Sequence, residues 1–411
     1  MKWKLLLLIL IFFKSFSQEK DLDYFLIKAQ NNAPLLKDYS NQIKSATLDS
    51  LLNRAFYKPQ ITGNFNANYA PVINGFGYDT VLSNGQSVSG LVGVNQKIIG
   101  KNRMDSQSNS FQLIKKALVL NQKIILKDLN KAIISQYISA SASAEQIGFN
   151  QKIAALLKQE TLVLKKLTQN AVYRQTDYLI FTATVKQQDL VLMQLKQQYQ
   201  NDLALLNYLS GETDTTFINL KKPEITLKNR QPSDKIVFLK QFEVDSLKLQ
   251  NQNKFIDYGY KPSLSLLGDA GYNSSFAFQA YKNFGFSVGL GLSIPIYDGN
   301  QRRLQHQKND AALATTLAYK NNFNKQYKQQ LLLLNLKLKQ SADVDMQLQS
   351  QLLIADALIE ANKKLLRTGD AQITEYSIAV GNLIAIKNAV SQNNSNKLQI
   401  INEINYWSFN D

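Results

Sequence analysis

Four stretches of the chain alternate strictly between apolar residues and small or polar ones. In the first, Ile61, Gly63, Phe65, Ala67 and Tyr69 share one side and Thr62, Asn64 and Asn66 the other. The second sets Val88, Gly90, Val92 and Val94 against Ser87, Ser89 and Asn95. The third sets Leu264, Leu266, Gly268, Ala270 and Tyr272 against Ser263, Ser265 and Asp269. The fourth sets Phe284, Phe286, Val288, Leu290, Leu292 and Ile294 against Gly285, Ser287, Gly289, Gly291 and Ser293. Successive side chains of a strand point to opposite faces, so this period predicts β-strands with one apolar face. A run of about ten such residues is also the length of a strand that crosses a bilayer. Two hairpins of a soluble sandwich carry the same local pattern.

Elsewhere the apolar spacing changes to three and four, as in Leu113, Ala117, Leu120 and Ile124, in Leu126, Leu129, Ile133 and Tyr137, and in Leu352, Ala355, Leu358 and Ala361. All seven prolines (34, 59, 71, 223, 232, 262 and 295) lie outside 101–209 and 299–408, two stretches rich in Leu, Lys, Gln and Ala that favour helix. Unbroken, each would be a helix of about 160 Å, so each is expected to fold back as a hairpin. Turns are expected near Gln169–Arg174 and Arg367–Ala371. The first arm is then about 68 residues, roughly 100 Å long. Further helices are expected over 19–56 and 233–258.

The pattern occurs twice. Tyr57-Lys58-Pro59 and Tyr260-Lys261-Pro262 open similar strands that close at Tyr69 and Tyr272, an offset of 203 residues. Val92–Arg103 and Leu290–Arg303 each run from an alternating stretch through an apolar-Gly turn into a basic helix start. Two matches at nearly equal offsets predict an internal duplication. The expected organisation is a first repeat over 18–210 (a helix, strands 59–70 and 87–98, a helical hairpin 101–209) and a linker over 211–232. A second repeat follows over 233–411 (a helix, strands 262–273 and 283–296, a hairpin 299–408). The glycines Gly285, Gly289 and Gly291 fall on one strand face and so read as small packing residues rather than a phosphate loop.

If the strands sit in lipid, their edge N–H and C=O groups cannot stay unpaired and the sheet must close. Four strands are too few for a barrel, since single-chain barrels start at about eight. Closure therefore requires further copies of the chain, related by cyclic symmetry.

Composition narrows the chemistry. The 411 residues include no Cys and a single His, His306, which excludes disulfides, thiolate nucleophiles and multi-His metal sites. No cofactor, metal site or enzyme activity is expected. Residues 1–17 read as an export signal: Lys2 and Lys4, an apolar run from Leu5 to Phe13, then Ser15-Phe16-Ser17. Removing its three lysines from a net charge of +16 leaves +13. In an exported chain that surplus points to a solvated basic surface or to anionic lipid rather than nucleic acid.

Several segments in this order resemble the TolC-type outer-membrane efflux proteins. They are Asn32-Ala33-Pro34-Leu35, the two Tyr-Lys-Pro strand openings, Ser293-Ile294-Pro295-Ile296-Tyr297-Asp298-Gly299, and Leu366-Arg367-Thr368-Gly369-Asp370 continuing to Glu375-Tyr376. The resemblance implies an α+β fold that works as a homotrimer: a 12-stranded outer-membrane β-barrel, four strands per protomer, continued by a long periplasmic α-helical barrel. It implies a passive exit duct that meets a periplasmic adaptor (membrane fusion protein) and an inner-membrane transporter of RND or ABC type. On that pattern Phe284, Phe286, Val288, Leu290 and Leu292 face outer-membrane lipid. Loops 71–87 and 273–283 face outside, and the tips near 170–177 and 367–376 form the periplasmic entrance. Asp177 and Glu375 match the family's acidic gate positions, with Asp370 and Arg174 beside them. An acidic ring in a narrow pore favours cations. The chain departs from the family at Ala171, where Gly is common. The alternative reading is a non-conducting periplasmic or secreted coiled-coil scaffold.

Overall fold

A computed structural model of the chain describes residues 20–79, 81, 85–98, 100–214, 218–228, 236–276, 279–370 and 372–408. The expected export signal, 1–17, lies outside them, as do Ala371 of the second expected turn and parts of 71–87, 211–232 and 273–283.

Asp21 opens the first helix, α1 (Leu22–Asn32), by accepting a hydrogen bond from the Tyr24 N–H at 2.9 Å. The helical stretch expected over 19–56 is two helices, because Pro34 forces Ala33 into an extended backbone at ψ 112°. Pro34 then starts α2 (Pro34–Phe56), at the position where its missing N–H costs nothing. β1 (Gln60–Tyr69) and β2 (Gln86–Ile98) follow, then α3 (Lys101–Gln169) and α4 (Gln175–Ser210). The order repeats with α5 (Val237–Gly259), β3 (Ser263–Ser274), β4 (Phe284–Ser293), α6 (Gln301–Thr368) and α7 (Ile373–Ser408). Corresponding helices match in length: 23 residues for α2 and α5, 69 and 68 for α3 and α6, and 36 for α4 and α7. The internal duplication is thus carried by whole elements.

The four strands form one antiparallel sheet in the order β1-β2-β3-β4. Its central pair, β2 with β3, joins strands that three helices separate in sequence. Gly90 pairs with Tyr272, Gly93 with Asp269 and Ile98 with Leu264. The close approach falls at Gly271, where φ is +152° and an added Cβ would lie 2.1 Å from the Gly90 carbonyl oxygen. Only glycine fits there.

The chain divides into two compact units. One gathers residues 38–122 and 238–322, the sheet and its adjoining helical segments. Its helices pack through Leu113, Ala117 and Leu120 of α3 and Leu239, Val244 and Ile256 of α5, all buried. Buried Asn251 fixes their register, donating to the Ser106 carbonyl at 2.9 Å and the Ser110 hydroxyl at 2.7 Å while accepting from Asn109 at 3.0 Å. His306 also serves this unit: its Nε2 lies 2.9 Å from Asp257, which accepts two hydrogen bonds from Arg302, one of them 2.7 Å long.

The other unit holds the remaining helical segments. Phe25 and Ala29 of α1 pack with Ile133 and Tyr137 of α3 and Leu206 of α4. α4 ends at Gly211 in a left-handed conformation (φ 74°), with Glu212 N–H donating to the Asn207 carbonyl at 2.8 Å. That turn delivers the Glu212 carboxylate to Tyr24, to Lys20 at 3.2 Å and to Lys28 at 3.5 Å. Burial works to raise the Glu212 pKa. The hydrogen bonds from Tyr24 and Lys20, with the charges of Lys20 and Lys28, outweigh it and hold the group below its usual 4.5. A depressed carboxylate contributes stability above its unfolded pKa and loses it as pH falls through the folded one. Glu212→Gln is therefore expected to lower stability at neutral pH by about 2 kcal/mol. It should also flatten the loss of stability below about pH 5, read by thermal unfolding across an acid series.

Candidate functional site

The register gives the sheet two unlike faces. Ile61, Phe65 and Tyr69 of β1 share one face with Val88, Val92 and Val94 of β2, with Leu264, Leu266, Ala270 and Tyr272 of β3, and with Phe284, Phe286, Val288, Leu290 and Leu292 of β4. No charged residue stands on this face, and its only polar side chains, Gln86, Gln96 and Ser274, lie near the strand ends. The five positions singled out in β4 are 64–84% exposed in the isolated chain. An apolar surface this broad and this exposed marks contact with something apolar. Tyr69, Tyr272 and Phe284 lie at the loop end of this face, the last two with ring centroids 5.2 Å apart.

The opposite face carries Thr62, Asn64, Asn66, Ser87, Ser89, Asn95, Ser263, Ser265, Ser287 and several glycines, interrupted by Leu91 and Leu267. Its two charges, Lys97 and Asp269, are the only charges in the four strands. Asp269 accepts a hydrogen bond from Ser287 at 2.6 Å. Lys97 lies toward the helical end and places its ammonium 4.6 Å from the centre of the Phe56 ring. The sheet has two open edges: among the described residues, neither β1 nor β4 has a second strand partner.

The helical tips lie in the other unit. α3 ends at Gln169, Ala171 turns the chain with φ at +60°, and α4 begins at Gln175. Asp177 stands in the first turn of α4 and its Oδ2 accepts from the Arg174 N–H at 3.1 Å, so it caps the helix. α6 ends at Thr368, and Glu375 stands in the first turn of α7. Both acids thus sit where the helix dipole favours negative charge. Arg174, Asp370 and Glu375 are exposed and Asp177 is half-buried. Among the described residues no salt bridge joins these four to one another.

Neutral contacts hold the two tips together. The rings of Phe181 and Tyr376 stack with centroids 5.7 Å apart, and the Tyr173 hydroxyl donates to the Leu366 carbonyl at 3.3 Å. Ile153, Leu157, Leu164, Ile359, Leu366 and Leu383 complete the core around them. Glu160 of α3 is fully buried, and neither carboxylate oxygen has a hydrogen-bond partner among the described residues. Burial, then the Glu160 and Glu360 charges, push the Tyr376 phenol well above its usual range. Sequence reasoning missed Glu160. Its signal was spacing: Ile153, Leu157, Glu160 and Leu164 follow the four-three-four rhythm of a packed seam.

Ala171 meets the turn's demand for positive φ without glycine, at a cost of about 1 kcal/mol. Ala171→Gly is expected to raise the stability of this tip by that amount, less any gain in unfolded-chain entropy, read as protection from proteolysis near the turn.

No protein-family model and no curated protein matches this chain. Solved structures do. CusC, described for its folding and transmembrane channel formation, superposes with a TM-score of 0.78 at 12% identity over 95% of this chain and 92% of its own. The outer-membrane protein VceC of Vibrio cholerae gives 0.77 at 12% identity over 94% and 95%. The open MtrE outer-membrane channel of Neisseria gonorrhoeae gives 0.75 at 12% identity over 94% and 88%. At this identity the likeness establishes the fold: the chain has the four-stranded sheet and long helices of these outer-membrane channels.

Proposed function

We propose that this chain is the outer-membrane channel of a tripartite export system, a passive duct rather than an enzyme. The observation that carries the reading is one sheet with an uncharged apolar face, a polar face and two open edges. In lipid such a sheet is stable only when every edge group is paired, and copies of the chain can pair β1 of one with β4 of the next. Three copies would make a twelve-stranded barrel, apolar outside and polar within, in the outer membrane. The long helices would continue it through the periplasm toward an adaptor protein and an inner-membrane transporter of RND or ABC type.

The tips would form the entrance, with Asp177 and Glu375 setting its ion preference and Arg174 and Asp370 beside them. Their exposure and their place in the first turns of α4 and α7 support the assignment. Because Asp177 also caps α4, the informative change is Asp177→Asn with Glu375→Gln, which removes charge and keeps a capping oxygen. Weaker divalent block of the reconstituted pore is expected, and unchanged block would discard the gate assignment.

The function itself is tested by purifying the chain in detergent, measuring its mass and recording single-channel currents in a planar bilayer. A complex of about three protomers that conducts is expected. A monomer soluble without detergent would instead favour a non-conducting scaffold.

A further inference from the structure

We infer that Asp269 is a second ion-selectivity element, placed in the wall of the barrel and independent of the entrance. The inference rests on the proposed channel reading, in which the polar face lines the lumen. Asp269 is the only acidic residue in the four strands. It stands mid-sheet, paired laterally with Gly93 on β2 and with Ser287 on β4. Gly271, Gly285 and Gly289 lie on the same face around it, so no bulky side chain covers the carboxylate from these positions. A hydrogen bond from Ser287 holds it against the wall, and it is half-buried.

The other charge on this face does not cancel it. Lys97 pairs with Ser265, four residues along the ladder from the Gly93–Asp269 pair. That is about 13 Å toward the helical end, beyond the screening length of about 8 Å at physiological salt. Around the barrel, each copy would contribute one carboxylate at one level. A lumen with low-dielectric walls concentrates the field of such a ring and enriches small cations over anions. The duct would then discriminate by charge at two levels, the tips and the barrel.

The experiment is reversal potential across a KCl gradient for the reconstituted wild type, Asp269→Asn, Ser287→Ala and the Asp177→Asn/Glu375→Gln pair. Asp269→Asn is expected to lower the cation-to-anion permeability ratio by about threefold near 0.1 M salt, and to lose that difference near 1 M, where charges are screened beyond about 3 Å. Its loss should add to that of the tip pair. Ser287→Ala, which removes the hydrogen bond and keeps the charge, should leave the ratio unchanged. Unchanged selectivity in Asp269→Asn, or an equal loss in Ser287→Ala, would overturn the inference.

Should Asp269→Asn fail to assemble, Gly289→Lys supplies the reading. A side chain there meets nothing within 4 Å, and the new cation stands one same-face position from Ser287. A lowered ratio is expected, and an unchanged one would refute the role of Asp269. Absence of channels in the wild type would instead refute the duct itself, which keeps the two failures apart.

Discussion

Val288→Lys is expected to prevent assembly of the heat-resistant oligomer. Val288 is the middle of the five apolar-face positions of β4 and pairs with Gly268, so no neighbouring side chain shields it across that pair. A lysine at mid-bilayer on the lipid face of a barrel costs about 2–4 kcal/mol, and every protomer would bear it. The matched variant is Asn66→Lys, on the opposite face of β1 and exposed in the isolated chain. That change puts its charge in water and is expected to assemble normally. Heat stability of the oligomer on a denaturing gel reads both. Normal assembly of Val288→Lys with failure of Asn66→Lys would mean that the two faces are exchanged.

Gly271→Ala should be as severe for a different reason. One methyl group would enter at 2.1 Å from the Gly90 carbonyl oxygen and 3.0 Å from Leu91 Cα, both backbone atoms that cannot move without breaking the β2–β3 ladder. With φ at +152°, an alanine is strained even before that contact. A loss of more than about 3 kcal/mol is expected. Gly289→Ala, whose added Cβ meets nothing within 4 Å, is the control and should cost little. Comparable melting of the two variants would show that the sheet relaxes at this crossing.

The fold was legible because its two periods are clean. Alternation from Ile61 to Tyr69 and from Phe284 to Leu292 has no helical interpretation, and these strands form the two edges of one sheet. The long helices were legible from the absence of proline, and proline also explains the break at Ala33. What periodicity cannot supply is pairing between distant segments. Nothing local to Gly271 announces that the Gly90 carbonyl lies against it. The candidate site shows the same boundary. Asp177 and Glu375 were legible as acids near two turns, whereas the capping bond of Asp177 depends on the backbone of Arg174. Glu160 was hidden among many charged helix residues until packing enclosed it.

The pairing of β2 with β3 bears on how the molecule is made. The first hairpin is complete once residue 98 has emerged, yet its inner neighbour begins at Ser263. Until then the β1–β2 hairpin has an uncovered apolar face and two strand edges able to pair with the wrong chain. A sheet closed by contacts this distant in sequence assembles slowly, because loop closure must be met before pairing rewards it. The chain is therefore most vulnerable to aggregation between synthesis of its first half and arrival of its second. Its dependence on holding factors should be concentrated in that interval.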